Sequence, residues 1–186
     1  MSCYLYVRRP SCLTEERPTQ VTRGPGILTI GHSNLLLGIS IARLHAHGVA
    51  TVADVRSVAA SRLRPWFGFS SHLKSLADEG IGYVYLGGRL GGRPRSRSLC
   101  LPNGKPDYVL LAHTQTYRSG IDGLLALASR RRVVLKCREG DSRRCHRRTL
   151  AGRTLRERGA MLAHILPDGS LVPDPPEQLT LFDQLF

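Results

Sequence analysis

The sequence predicts an α/β domain, three-layered and Rossmann-like, around a mostly parallel sheet of about five strands. Two observations carry that prediction. Short apolar, β-branched runs recur through residues 26–166, and between them lie longer segments whose apolar residues follow helical spacing. Strand and helix alternate, which is the order in which crossover helices join parallel strands. A chain of 186 residues is long enough to bury a sizeable core in one such domain.

The elements follow in order. "GILTIGHS" (26–33) reads as a first buried strand ending in Gly-His-Ser. In "NLLLGISIARLHAHG" the spacing of Leu37, Ile41 and Leu44 predicts a helix, and Gly48 stands where a C-terminal cap glycine belongs. "VATVADVR" (49–56) is a second strand. Ser70 or Ser71 is placed to cap a helix through "HLKSLADE" that ends at Gly80. "IGYVYLG" is a third strand. "PDYVLLAHTQTYRSGIDGLLALASRR" holds one broken helix or two short ones, with the break expected near Gly120 and Gly123. "RVVLKC" is a fourth strand, a helix is expected to begin near Ser142, and "MLAHIL" (161–166) is a fifth strand.

The ends differ from this core. Residues 1–25 are rich in Pro, Arg and Thr without periodicity, as expected of a flexible extension or the product of an upstream start codon. Residues 167–186 form a proline-rich tail, in which Pro173, Pro175 and Pro176 prevent a helix from continuing. There is no internal repeat.

Composition narrows the function classes. Apolar residues make up 41%, and no run approaches the ~20 needed to span a membrane. The N-terminus lacks an apolar core followed by a small-residue cleavage site, and five cysteines do not make a paired disulfide framework. A reducing cytoplasm is therefore expected, with no membrane partner. Charge is the strongest global signal. The formal net charge is +13, and of 27 basic residues only Lys74, Lys105 and Lys136 are lysine. Arginines crowd residues 130–158, and Arg89, Arg93, Arg95 and Arg97 form a second cluster. The planar fork of arginine grips phosphate at two points where lysine offers one charge. The expected partner is DNA or another nucleic acid, with the second cluster contacting it. A merely solvated basic face is the plainer alternative.

Ligands of open α/β sheets bind at the carboxyl ends of the strands. His32 and Ser33, Asp54 and Arg56, and Cys137 all fall at such ends. Each has a plain explanation: Ser33 a helix cap, His32 a turn histidine, Asp54 an anchor for a neighbouring backbone amide. Their convergence on one sheet edge makes a site.

"TIGHS" (29–33), "DVR" (54–56), "LGG" (90–92) and the C-x7-C-H-R run formed by Cys137, Cys145, His146 and Arg147 resemble the prokaryotic family catalogued as domain of unknown function 488. The likeness covers roughly residues 27–166. It implies a compact α/β domain and no established activity. Family members often have Cys-Ala-Glu-x-Asp-Pro after the fourth strand, whereas this chain has Arg138, Gly140 and Ser142; Cys137, Asp141, Cys145, His146 and Arg147 are the matched positions.

These residues suggest several chemistries. A thiol at a strand end facing the first turn of a helix is acidified. Arg143 and Arg147, four apart, are expected on one helical face as a phosphate clamp, joined by Arg56, while His146 moves protons near neutral pH. The leading expectation is a DNA-repair-related enzyme that hydrolyses a glycosidic or phosphodiester bond, with Asp54 as general base. Cys137 through Arg143 also matches the Cys-x5-Arg loop of cysteine-dependent phosphatases, which is the second expectation. A non-catalytic DNA-binding adaptor is the third. No cofactor is expected; zinc on Cys137, Cys145 and His146 has an unusual ligand spacing and no evident fourth ligand. In the tail, "QLTLF" resembles the peptide by which bacterial proteins dock on the DNA polymerase sliding clamp, with Gln178, Leu179, Leu181 and Phe182 as its contacts. A C-terminal segment packed on its own domain is the alternative.

Overall fold

The five apolar runs pair in parallel, and a computed structural model describing residues 26–33, 35–59 and 65–174 gives their extents. They are Ile27–Gly31 (β1), Thr51–Asp54 (β2), Gly82–Tyr85 (β3), Val133–Cys137 (β4) and Leu162–Ile165 (β5). A sixth strand, Leu171–Pro173 (β6), runs antiparallel beside β5, so the sheet order is β3-β2-β4-β1-β5-β6. The sheet thus continues beyond residue 166, where the tail was expected to start. Pro173 fits because it sits at an edge, where a missing N–H costs no ladder bond. Just after it, buried Asp174 accepts from Arg148 and Arg156 and lies 3.2 Å from His164 Nε2. Residues 1–25 and the peptide 178–182 lie outside the described residues.

Helices cover both faces. Leu37–Ala46 (α1) and Phe69–Asp78 (α2) bury Leu44 and Leu76 against Leu28, Ile30, Val52 and Val134. Gly87–Leu90 (α3), Tyr108–His113 (α4), Gln115–Ala128 (α5) and Arg153–Glu157 (α6) bury Leu90, Leu111, Leu124 and Leu155 against Ile27, Ala53, Val133 and Leu135. A central strand enclosed on both sides is apolar at nearly every position, as β4 is. No helix among the described residues is long and apolar enough to cross a membrane.

Three local expectations are corrected. Gly68, with no side-chain cap, precedes α2, so neither Ser70 nor Ser71 caps it. The break between α4 and α5 falls at Thr114, whose hydroxyl accepts from the Tyr117 N–H. Gly120 lies inside α5, where α3 packs closely: a Cβ there would be 2.9 Å from both Arg89 Cβ and Leu90 Cδ2. Finally, no single helix begins at Ser142. A 3-10 turn at Ser142–Arg144, capped by the Asp141 carboxylate, leads into a π-helical turn at Arg147–Gly152 and then α6.

The chain leaves the neighbouring strands β1 and β4 toward opposite faces, which makes their carboxyl ends the switch point of the sheet. The two exit loops are joined there: His32 N–H donates to Cys137 O at 3.0 Å and Ser33 N–H to Arg138 O at 2.8 Å. Gly31 is required by this closure, since a Cβ on it would lie 1.9 Å from Glu139 O.

Candidate functional site

Strand alternation divides the expected site in two. Asp54 of β2 is in register with Lys136 of β4, so both point to the α1/α2 face. Cys137, one residue later, points to the α5/α6 face. His32, Asp54 and Arg56 therefore gather on one side of the sheet. Cys137, Cys145, His146 and Arg147 gather on the other.

On the second side, Cys137 ends β4, and Cys145 and His146 follow one another between the 3-10 and π turns. Their ligand atoms lie within 4.8 Å of one another. His146 Nδ1 is 3.7 Å from Cys137 Sγ and 3.9 Å from Cys145 Sγ, while Nε2 donates to Val55 O at 2.9 Å. That last bond fixes the ring and leaves Nδ1 facing the sulfurs. Gly92 of the "LGG" run is bare where the ring packs, for a Cβ on it would be 2.5 Å from His146 Cγ. Both thiols are buried. The Cys145 thiol, together with His146 and the Glu139 N–H, pulls the Cys137 thiol well below its usual range against burial. Cys145, donating to that sulfur and buried, is pushed up in turn. Burial opposes a charge on His146, but Cys137 beside it raises its pKa. Two buried sulfurs thus face one imidazole across this corner.

Arg147 is 1% exposed and points inward. It donates to Glu139 O, to Gly140 O at 2.8 Å and to Thr29 Oγ1 at 3.3 Å, holding the loop after β4 closed. Arg143 is on the opposite side of this segment, exposed and paired with Asp141 at 3.1 Å. The two arginines do not form a shared clamp, because the 3-10 and π turns break the i,i+4 relation that the expected helix would give. Ser33, at φ +36°, is exposed and lies against Gly140 rather than capping α1.

The first side is a buried charge network. The Asp54 carboxylate accepts from Arg56 Nε at 2.9 Å, Arg56 Nη2 at 2.5 Å, the Arg56 backbone N–H at 3.1 Å and Tyr83 OH at 2.8 Å. Lys136 Nζ is 3.6 Å away and sits 4.8 Å over the Phe67 ring. Burial would raise the Asp54 pKa, but the Arg56 hydrogen bonds and the Lys136 charge hold it below the usual carboxylate range. Asp54 is thus an anchor, as one sequence reading allowed, and a poor general base. Arg56 also donates to Phe67 O at 2.9 Å, so its guanidinium serves the fold rather than an incoming anion. Burial, against Asp54, brings Lys136 down to about 7. His32 stacks on Phe67 at 4.3 Å, and burial brings it to about 4, with Lys136 and Arg56 adding. His72 meets Phe67 and Tyr83 edge-on, and burial brings it to about 3.

Sequence reasoning missed Lys136, Tyr83 and His72. A lysine on the same pleat as Val134 in a central strand was the available signal, since it must point inward.

The remaining arginines are peripheral. Arg89 is half-buried and donates to Ser119 Oγ at 3.2 Å. Arg93, Arg95 and Arg97 are exposed on the loop that follows Gly92, and Arg138, Arg143 and Arg144 are exposed on the loop after β4.

No curated protein and no solved structure matches the chain. The model of the family described as domain of unknown function DUF488 matches residues 39–154. That span omits "TIGHS" but takes in Asp54, Cys137, Cys145, His146 and Arg147 over more than half the chain, and the chain therefore belongs to the DUF488 family.

Proposed function

We propose that this protein is a nucleic-acid-processing enzyme of the DNA-repair type, acting in the cytoplasm, that hydrolyses a glycosidic or phosphodiester bond at the Cys137–Cys145–His146 corner. One observation carries the reading: this trio is flanked by two exposed arginine loops, 93–97 and 138–144. Gly92 touches the His146 ring, so the first loop starts beside the chemistry. Phosphates held on the loops would bring an adjoining bond to the thiol and imidazole, within reach of a proton-transfer group. Asp54 does not act on the substrate in this reading. The cysteine phosphatase alternative has less support, because Arg143 is exposed at the surface while Cys137 is buried.

The test uses labelled single- and double-stranded DNA and RNA. Arg93→Ala with Arg95→Ala is expected to weaken binding to all sequences and to flatten the log–log salt slope by about 2. Cys137→Ala and His146→Ala are expected to abolish hydrolysis while binding persists. An unchanged salt slope would remove the loop from the interface, and a phosphocysteine trapped on Cys137 would favour the phosphatase.

The tail is part of the same proposal. Beyond β6, Pro175 and Pro176 precede Gln178–Phe182, whose Leu181 and Phe182 enter an apolar groove of the sliding clamp while Gln178 pairs at its edge. Leu181→Ala with Phe182→Ala is expected to abolish clamp binding and leave thermal stability unchanged. A lowered melting temperature would instead make the tail part of the core.

A further inference from the structure

We propose that Cys137, Cys145 and His146 bind one zinc ion and leave its fourth position open. The binding stands on geometry alone; its use in hydrolysis rests on the function proposed above.

The spacing of the donor atoms is the first argument. Zn–S bonds of ~2.3 Å and Zn–N bonds of ~2.0 Å at tetrahedral angles require S···N edges of about 3.5 Å and an S···S edge of about 3.8 Å. The observed S···N separations are 3.7 and 3.9 Å, and no pair of donors exceeds 4.8 Å. Closing around an ion therefore requires no edge to contract by more than about 1 Å.

The second argument is orientation. A metal-bound histidine usually gives its other N–H to a carbonyl or carboxylate, which fixes the tautomer. His146 does this through Nε2 to Val55 O, and Nδ1 is left facing both sulfurs. Gly92 packs against the ring at a place where any side chain would collide with it. The third argument is support. Cys137 ends a central strand, and Arg147 pins the loop behind it through Glu139 O and Gly140 O, so the donors stand on rigid backbone.

The donor set selects the metal. Two sulfurs and an imidazole favour zinc over magnesium or calcium, which prefer oxygen. Two thiolates also neutralise a divalent ion, so the buried corner gains no net charge. Three protein ligands with an open fourth position characterise catalytic rather than structural zinc. Tyr108 Oη borders the same corner, since a Cβ on Gly92 would lie 3.0 Å from it and 2.5 Å from His146 Cγ. The ion would supply a Lewis acid beside the arginine loops, for a water or a substrate oxygen.

The experiment uses the full chain carrying Cys3→Ser, Cys12→Ser and Cys100→Ser, so that the trio holds its only thiols. Purified with reductant and without chelator, it is expected to contain about one zinc per chain. After zinc removal, cobalt(II) should give the d–d bands of a four-coordinate site and an intense sulfur-to-metal charge-transfer band. Cys145→Ser and His146→Ala should weaken binding by more than the roughly 10–100-fold that follows loss of an outer-sphere partner. If those variants unfold, zinc protection of two thiols from alkylation in the parent carries the test. Zinc far below one per chain with no charge-transfer band overturns the proposal, as does a Cys137–Cys145 disulfide that persists in reductant. Nucleic-acid hydrolysis undiminished after zinc removal would sink the catalytic use of the ion and leave the function proposed above intact. Stoichiometric zinc without nucleic-acid hydrolysis would sink that function together with the ion's use in it, and leave the zinc binding intact.

Discussion

Asp54→Asn is expected to destabilise the fold by about 3–5 kcal/mol, the cost typical of leaving a buried charge without its partner. Asp54 is wholly buried, and its carboxylate is the acid that Arg56 and Lys136 both face. Asparagine keeps the shape and still accepts from Tyr83, so the loss isolates the charge. Against a typical total of about 5–15 kcal/mol, the variant would be close to unfolding at moderate temperature. Lys136→Met in the same chain should recover part of the loss, because it removes a buried amine that is already at about 7 beside Asp54 and is left without its carboxylate. Urea unfolding of the single and double variants measures both numbers. A single variant within about 1 kcal/mol of the parent would show that the network is not what balances these charges. The same measurement guards the functional assays: activity lost in Asp54→Asn reports the fold, not a missing general base.

The sheet was legible because its strands are the apolar, β-branched runs, and a run such as "RVVLKC" has few other uses. β6 was not, since three residues ending in proline carry no periodic signal. Within the site, the sequence located residues at strand ends but not the face each one takes. That depends on a shift of one residue: Lys136 joins Asp54, and Cys137 joins His146. Arg147 was misplaced for a related reason. Its partnership with Arg143 assumed α-helical spacing, whereas a 3-10 turn followed by a π turn rotates one arginine into the core and the other into solvent. The C-x7-C-H-R run did announce the corner that the structure assembles, because Cys145 and His146 are adjacent and β4 delivers Cys137 to them. Tyr83 and His72 gave no comparable signal; each reads as ordinary amphipathic patterning until the charges around Asp54 are seen.

Acid is expected to unfold the protein through His72. The ring is 1% exposed, and neither nitrogen has a hydrogen-bond partner among the described residues. Around it stand Phe67 and Tyr83, with Lys136 from β4, Arg56 and Asp54 from the β2 end and His32 from the β1 end. Burial is the main reason the neutral ring is favoured, and the Lys136 charge adds to it, so its pKa falls to about 3. An unfolded chain takes up this proton near pH 6.5, whereas the native one resists it until about pH 3. Stability is therefore fully present above pH 6.5, declines as pH falls across that window, and is lost in full below about 3. The slope for one such group reaches about 1.4 kcal/mol per pH unit, and His32, held near 4, steepens it. The paired carboxylate of Asp54 adds its own loss only at the acid end, where it would have to protonate. His72→Phe removes the titrating nitrogens and keeps an aromatic ring against Phe67 and Tyr83. It breaks no hydrogen bond to a described residue, so stability at pH 7 should be equal or higher. Its unfolding midpoint should then fall less steeply between pH 6.5 and 4 than that of the parent. An acid limb of unchanged slope in His72→Phe would show that the proton uptake lies elsewhere.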